Sequence, residues 1–158
     1  MPAALADVER IYRSKLPSLC RVAAAVSGDR EAAPDIVQEA FVRAVRELQS
    51  FRGDSPLEAW LWRIVVNSAR NHRRSCRPAV GLTGEEPTPA HGGVDGSVTA
   101  AVAALPERQR LALFLRYYAD LDYGAIAEAL EISAGTVGAT LHAARTALQQ
   151  LLTKEEVA

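Results

Sequence analysis

Apolar side chains recur along this chain at helical rather than alternating spacing, in two blocks separated by a stretch with no period. In the first block the spacing predicts three helices. One covers residues 5–26, with a bend expected at Pro17 and an end before Ser27-Gly28-Asp29. A second starts at Pro34 and carries Val37, Phe41, Ala44, Val45 and Leu48 on one face. A third covers 56–74, with Leu57, Trp60, Leu61, Ile64, Val65 and Ser68 as its stripe. Ser55-Pro56-Leu57-Glu58 predicts a capping box at its start: Ser as N-cap, Pro at the first helical position, Glu three residues after the cap.

The second block predicts four shorter helices. They lie over 97–104, from Pro106 (with Leu111, Leu113, Phe114, Leu115 and Tyr118 as apolar positions), over 123–130, and over 134–152. Glu131-Ile132-Ser133 forms the turn before the last helix, Ser133 caps it, and Val137, Leu141, Ala144, Leu148 and Leu151 make its stripe. A short helix, a tight turn and a longer amphipathic helix form the helix-turn-helix layout, whose later helix enters the DNA major groove. The intervening stretch is rich in Gly, Pro, Thr and Ser and reads as a flexible linker. The expected fold is therefore all-α: two small helical domains, 1–76 and 100–158, joined by the linker 77–99, the second a helix-turn-helix. Each domain is near the lower size limit for an independent core.

Composition excludes several classes. No apolar run approaches the roughly 18 residues of a membrane span, and residues 1–15 carry charges where a signal peptide would be apolar, so a cytoplasmic protein is expected. Cys20 and Cys76 form no CxxC and have no His cluster beside them. They read as two thiols in a reducing compartment, and neither a metal nor a cofactor is expected. There is no Gly-rich phosphate loop and no nucleophile–base pair, and His72, His91 and His142 are scattered, which argues against an enzyme.

The net charge of −1 conceals an asymmetry. Residues 1–77 hold 13 Lys and Arg against 9 Asp and Glu, whereas residues 101–158 hold 5 against 7. Basic charge, the usual footprint of a nucleic-acid partner, is confined to the first half. At about 100° per residue, Arg63, Asn67, Arg70 and Arg74 fall on a common flank of the third helix, and Arg73 and Arg77 extend the charge at its end. A solvated face whose arginines favour the negative end of the helix dipole accounts for Arg73, Arg74 and Arg77. It does not account for Arg63, Asn67 and Arg70 as a line. A cationic ridge of this kind matches a phosphate backbone and implies steep salt dependence. Asn67 can present a paired donor and acceptor to a base edge. Trp62 points away from the apolar stripe, and two readings stand: it stacks on unpaired bases, or it packs under the loop 51–54.

Several segments recur in a telling order. Asp35-Ile36-Val37-Gln38-Glu39-Ala40-Phe41 is followed by Phe51-Arg52-Gly53-Asp54-Ser55 and then Trp60-Leu61-Trp62-Arg63-Ile64-Val65-Val66-Asn67. After the linker come Leu105-Pro106-Glu107, Gly135-Thr136-Val137 and Leu141-His142-Ala143-Ala144-Arg145. In this combination the chain resembles the extracytoplasmic-function group of the sigma-70 family, the promoter-specificity subunits of bacterial RNA polymerase. The resemblance runs from about Val8 to Leu152. It implies that the first domain binds the polymerase clamp through Asp35, Gln38 and Glu39 and melts the minus-10 element. Phe51, Arg52, Trp62, Asn67 and Asn71 would then handle unpaired bases, while Arg63, Arg70, Arg73 and Arg74 hold the backbone. The linker would thread toward the polymerase active centre. The second domain would bind the minus-35 element and the polymerase flap, reading DNA through Ser133, Thr136, Thr140, His142 and Arg145.

The last helix departs from the family pattern. After Gly-Thr-Val the family usually places Lys or Arg, Ser, then Arg, with a further Arg after Leu-His; here the positions hold Gly138, Ala139, Thr140 and Ala143. Losing about three phosphate contacts lowers affinity and flattens the salt slope, which leaves open whether the second domain binds minus-35 DNA. Glu131 stands in the turn where the family often has Gly. Two functions follow: a sigma factor directing promoter recognition and melting, with RNA polymerase, promoter DNA and an anti-sigma factor as partners; or a sigma-derived interaction protein that binds polymerase or a regulator without starting transcription alone.

Overall fold

The computed structural model describes residues 2–76 and 96–157, and among them the regular structure is helical, with no strand. In chain order the helices are α1 (Pro2–Ser27), α2 (Ala33–Glu47), α3 (Leu57–Ser75), α4 (Gly96–Ala103), α5 (Glu107–Tyr117), α6 (Tyr123–Leu130) and α7 (Ala134–Val157), with a 3-10 turn at Leu48–Ser50 after α2. Of the expected linker, residues 77–95 lie outside the described residues. Gly96 already opens α4.

Local signals explain most boundaries. α1 runs through Pro17 and ends where Gly28, at φ +75°, donates its N–H back to the Ala24 carbonyl, a left-handed stop that glycine adopts without strain. The start of α3 differs from the expected capping box. Pro56 is itself the N-cap, with ψ near the extended value of 139°, and no side chain caps the helix. Glu58 instead reaches Lys15 of α1 at 3.9 Å. In the second block, Asp122 accepts from the Ala125 N–H at 2.8 Å to cap α6, and Ser133 accepts from the Thr136 N–H at 3.1 Å to cap α7, as its place in the turn predicts. Glu131 closes α6 in the left-handed region at φ +58°, which costs a residue with a Cβ about 1 kcal/mol.

α3 is the central element. It packs against α1, α2 and α6, so helices of both halves cover it. The expected stripe of Trp60, Leu61, Ile64 and Val65 is buried. So is a second stripe, Ala59, Trp62, Val66 and Ala69, which lies on the opposite side of the helix. The buried apolar residues of the two halves form one contiguous cluster, from Val8 on α1 to Ala144 on α7. Fully burying a Val, Leu, Ile or Phe contributes about 1.5–3 kcal/mol, so sharing one core helps two halves that are each too small to bury much alone. Two expected core positions are corrected: Val45 is 46 % exposed and Tyr118 is 39 % exposed. Val45 belongs to the outer face of α2, and Tyr118 stacks on Phe114 at a ring separation of 5.6 Å at the protein surface.

Candidate nucleic-acid interface

The line predicted on α3 exists as a flank of the helix, but its members stand in different surroundings. Arg74 and Asn71 are exposed, and Arg73 and Asn67 are half-buried; neither arginine of this set forms an ion pair among the described residues. Arg63 donates from Nη1 to Glu128 Oε1 at 3.3 Å, and Glu131 Oε1 stands 4.0 Å from the same nitrogen. Arg70 donates from Nε to Glu107 Oε1 at 3.0 Å. All three carboxylates belong to the second half of the chain. At the far end of α3, His72 Nε2 lies 3.3 Å from Asp29 Oδ2 and 3.6 Å from Cys76 Sγ. One ring nitrogen meets both groups, an arrangement that ties α3 to the α1–α2 turn and does not form a nucleophile–base relay. The Asp29 carboxyl sits below the ordinary carboxylate range, chiefly because it accepts from the Ala32 N–H and secondly because of His72.

The exposed reading of Trp62 is overturned. Its side chain is 0 % exposed, and its Nε1 has no hydrogen-bond partner. On the helical wheel it falls between Glu58, which meets α1, and Arg63, which meets α6. Phe51 of the loop 51–54 packs on Trp60, ring centroids 5.1 Å apart, and Trp60 projects from the other side of α3. Arg52, Gly53 and Asp54 are exposed, with Gly53 in a left-handed conformation at φ +79° that turns the chain toward the start of α3.

The outer face of α2 presents Asp35, Gln38 and Glu39, all exposed. Val42 and Val45, each 46 % exposed, lie on the same face. Sequence reasoning missed Val42, although its spacing of seven from Asp35 and four from Gln38 puts it there.

The helix-turn-helix brings fewer of its expected readers to the surface. Thr140 is buried at 9 % beside Val137, Leu141 and Ala144, so it is a core residue of α7 and not a DNA contact. The physical reason is its place three after Val137 and four before Ala144, inside the apolar stripe. Ser133 is exposed and Thr136 half-buried, and the two are engaged with each other, Oγ to Oγ1 at 2.7 Å, in the cap of α7. His142 is exposed. Arg145 donates from Nε to the Tyr117 hydroxyl at 3.0 Å and lies over that ring, and the bond pushes the guanidinium pKa still higher. Arg116 donates to the Leu121 carbonyl at 2.9 Å, and Arg110 to those of Ala103 and Leu105. Most basic side chains of this half are thus holding its own turns together.

Two family models match the chain: Sigma-70 region 2 over residues 11–77, and Sigma-70, region 4 over residues 95–148. The RNA polymerase sigma-H factor of Pseudomonas aeruginosa is 33 % identical over 144 residues, covering 78 % of this chain and 75 % of the relative. The ECF RNA polymerase sigma-E factor of Escherichia coli is 35 % identical over 142 residues, covering 77 % and 73 %. The chain belongs to the sigma-70 family, in its ECF group. Among solved structures it resembles the sigma factor RpoE in complex with the anti-sigma factor NepR from Bartonella quintana, with a TM-score of 0.75 and 27 % identity over 93 % of this chain and 97 % of that one. It also shares the fold of CnrH, solved in complex with the cytosolic domain of CnrY, at a TM-score of 0.71 over 93 % and 88 % of the two chains. In family terms, α3 and the loop before it lie in region 2, and the helix-turn-helix lies in region 4. No described helix is long and apolar enough to cross a membrane.

Proposed function

We propose that this chain is an ECF sigma factor that joins RNA polymerase core enzyme and directs promoter recognition and melting, with region 2 supplying most of the DNA recognition. It acts in the cytoplasm and catalyses no reaction of its own. Family membership across both regions carries the assignment of function. The single observation that carries the division of labour is the contrast in available charge. α3 keeps Arg73 and Arg74 unpaired among the described residues beside Asn67 and Asn71, whereas Arg145 of α7 is bound to Tyr117.

In this reading residues 1–76 are the clamp-binding and minus-10 domain, 77–99 the segment that joins the two domains, its last residues already part of α4, and 100–158 the region 4 domain. The polymerase clamp docks on Asp35, Gln38 and Glu39, with Val42 and Val45 supplying apolar contact area at the centre of a charged face. Arg63, Arg70, Arg73 and Arg74 neutralise phosphates of the unwound strand. A base taken out of the stack costs a few kcal/mol, which a pocket and stacking offset. Asn67 and Asn71, with Phe51 and Arg52 of the preceding loop, are placed to bind such a base. An anti-sigma factor, the partner with which the Bartonella quintana RpoE was solved, is the regulator expected for this chain.

Transcription with purified core enzyme on promoter fragments of the source genome tests the proposal. Initiation from a limited set, lost when the minus-10 element is scrambled, is the expected result; no initiation on any fragment would overturn it. The burial of Thr140 favours a second reading, a sigma-derived protein that engages polymerase without initiating alone. Initiation by this chain and core enzyme, with no third protein, excludes that reading.

A further inference from the structure

The arginines assigned to DNA that enter no ion pair among the described residues, Arg73 and Arg74, lie in the last turn of α3, which ends at Ser75. Helix ends fray, because their last carbonyls lack partners within the helix. Local bonds hold part of this turn. The Ser75 hydroxyl donates to the Asn71 carbonyl at 2.8 Å, and the Cys76 N–H donates to the His72 carbonyl at 3.1 Å. Both are bonds of this end of the helix to itself. His72 makes a bond of another kind, to the turn between α1 and α2. Asp29 Oδ2 stands 3.3 Å from His72 Nε2, while Oδ1 of the same carboxylate accepts from the Ala32 N–H at 3.1 Å, at the entrance to α2. An ionised carboxylate only accepts, so Nε2 is the donor. Asp29 is itself anchored: its N–H donates at 3.1 Å to the hydroxyl of Ser27, which is buried at the end of α1. One carboxylate therefore joins the end of α1, the start of α2 and the end of α3.

We infer that His72 is a positioning residue for the capture of single-stranded DNA: through Asp29 it fixes the last turn of α3, and with it Asn71, Arg73 and Arg74, against the start of α2. This role rests on the proposed binding of DNA by α3. α2 carries Asp35 in its first turn and Gln38 and Glu39 one turn further on, so the bond sets where the DNA-facing end of α3 stands relative to the polymerase-facing helix. His72 need not touch DNA in this arrangement. Without the bond a frayed turn has to be ordered as DNA binds, and that ordering lowers affinity. The surface of α2 that meets polymerase is left as it was.

Charge alone predicts the opposite sign for Asp29. A carboxylate beside a cationic ridge repels DNA, so its removal should tighten binding. If Asp29 acts by holding His72, its removal weakens binding.

The test uses holoenzyme assembled from core enzyme and the full chain, native or carrying His72→Ala, His72→Gln or Asp29→Ser. Glutamine puts an amide N–H close to the place of Nε2, and serine keeps an acceptor for the Ala32 N–H but stops short of His72. The probe is a fluorescein-labelled single-stranded DNA 20-mer of random sequence, titrated from low to high salt, and the affinity of each chain for core enzyme is measured beside it. His72→Ala and Asp29→Ser should each bind DNA about tenfold more weakly, with a salt slope lower by up to about 1.4 for two lost phosphate contacts. His72→Gln should bind as the native chain does, and affinity for core enzyme should be unchanged in all forms. The chain carrying both His72→Ala and Asp29→Ser should bind no more weakly than either alone, since the two residues act as one pair. Tighter binding by Asp29→Ser beside weaker binding by His72→Ala would mean that His72 meets DNA itself, and would overturn the positioning role. So would native binding by His72→Ala, no recovery in His72→Gln, or a loss of core affinity in step with DNA affinity, which would make the bond a support of the whole domain; each leaves the DNA role of α3 intact. Absence of binding by every form at every salt, the native included, would overturn that DNA role, and the positioning role with it.

Discussion

α3 and α7 are the two helices to which a sigma factor's DNA contacts would fall, and their surfaces are built on opposite plans. α3 is buried on two opposite sides, yet the flank between them carries Arg63, Asn67, Arg70 and Arg74. α7 is buried on one side, and the side left open holds Gly135, Ala139, His142 and Ala143, with no arginine or lysine among them. The basic residue that remains on α7 in its middle, Arg145, is already bonded to Tyr117. The difference teaches that charge in a sequence and charge available to a ligand are separate quantities. The second follows only when each guanidinium's partners are known.

The largest expected effect tests the second buried side of α3. Trp62→Ala should destabilise the chain by about 3–5 kcal/mol, measured by urea unfolding. Trp62→Phe should cost much less, because it keeps most of the buried area and removes an unsatisfied donor worth about 1–3 kcal/mol. Leu141→Ala, on the single buried side of α7, should fall at about 2–5 kcal/mol. If Trp62→Ala were nearly neutral, the indole would not be packed between α1 and α6, and base stacking would return as its role.

The next effect separates readers within α3 from residues of α7. Arg74→Ala should weaken single-stranded DNA binding on all sequences about equally, with the salt slope reduced by about 0.7 for the one lost phosphate contact. Asn67→Ala should change base preference at one position, with about tenfold less discrimination there. Arg145→Ala should leave minus-10 strand binding unchanged. A general loss from Asn67→Ala, with preference preserved, would move that residue from reading bases to supporting the helix.

A smaller effect probes whether α7 is merely under-equipped. Gly138 has room for a side chain, since a Cβ there would first meet Tyr123 Cε2 at 3.6 Å, an ordinary contact. Gly138→Ala should therefore stabilise the chain by about 0.5–1 kcal/mol through helix propensity, read as a raised melting temperature. Adding Ala139→Arg on the exposed face should steepen the salt dependence of duplex binding by about 0.9. If that added charge leaves duplex binding untouched, the face of α7 does not meet DNA.

The same contrast explains what was legible in the sequence. The period of Leu57, Trp60, Leu61, Ile64 and Val65 identified one buried side of α3, because one stripe against α1 and α2 is a local pattern. The second stripe could be seen only as scattered small residues and a stray Trp62, because α6, which packs against α3, lies more than fifty residues further along the chain. Glu107, Glu128 and Glu131 were invisible as partners of the arginines for the same reason. The family motif located the reading helix of the second half but misplaced Thr140, since motif alignment names positions without saying which way each one faces. At the start of α3 the Ser-Pro-x-Glu pattern was present, but Pro56 stayed extended and took the cap position, leaving Glu58 to Lys15.

The smallest effect compares how the two halves secure their helix starts. Ser133 caps α7 as a neutral hydroxyl, so its contribution of about 1 kcal/mol should be the same at every pH at which the chain is folded. Asp29 accepts from the Ala32 N–H at 3.1 Å and faces His72 of α3, and its pKa lies below the ordinary carboxylate value. A depressed carboxylate stabilises the fold above its unfolded-state value, near 3.9, and that stabilisation is lost as the pH falls through the lower folded-state value. The melting temperature of Asp29→Asn should therefore lie slightly below that of the native chain at pH 7, and the gap should close on the acid side of about pH 4. The deficit of Ser133→Ala should persist across the same range. Equal pH dependence of the two deficits would mean that Asp29 acts through its hydrogen-bonding shape alone, and that its charge contributes nothing to holding α3 against the α1–α2 turn.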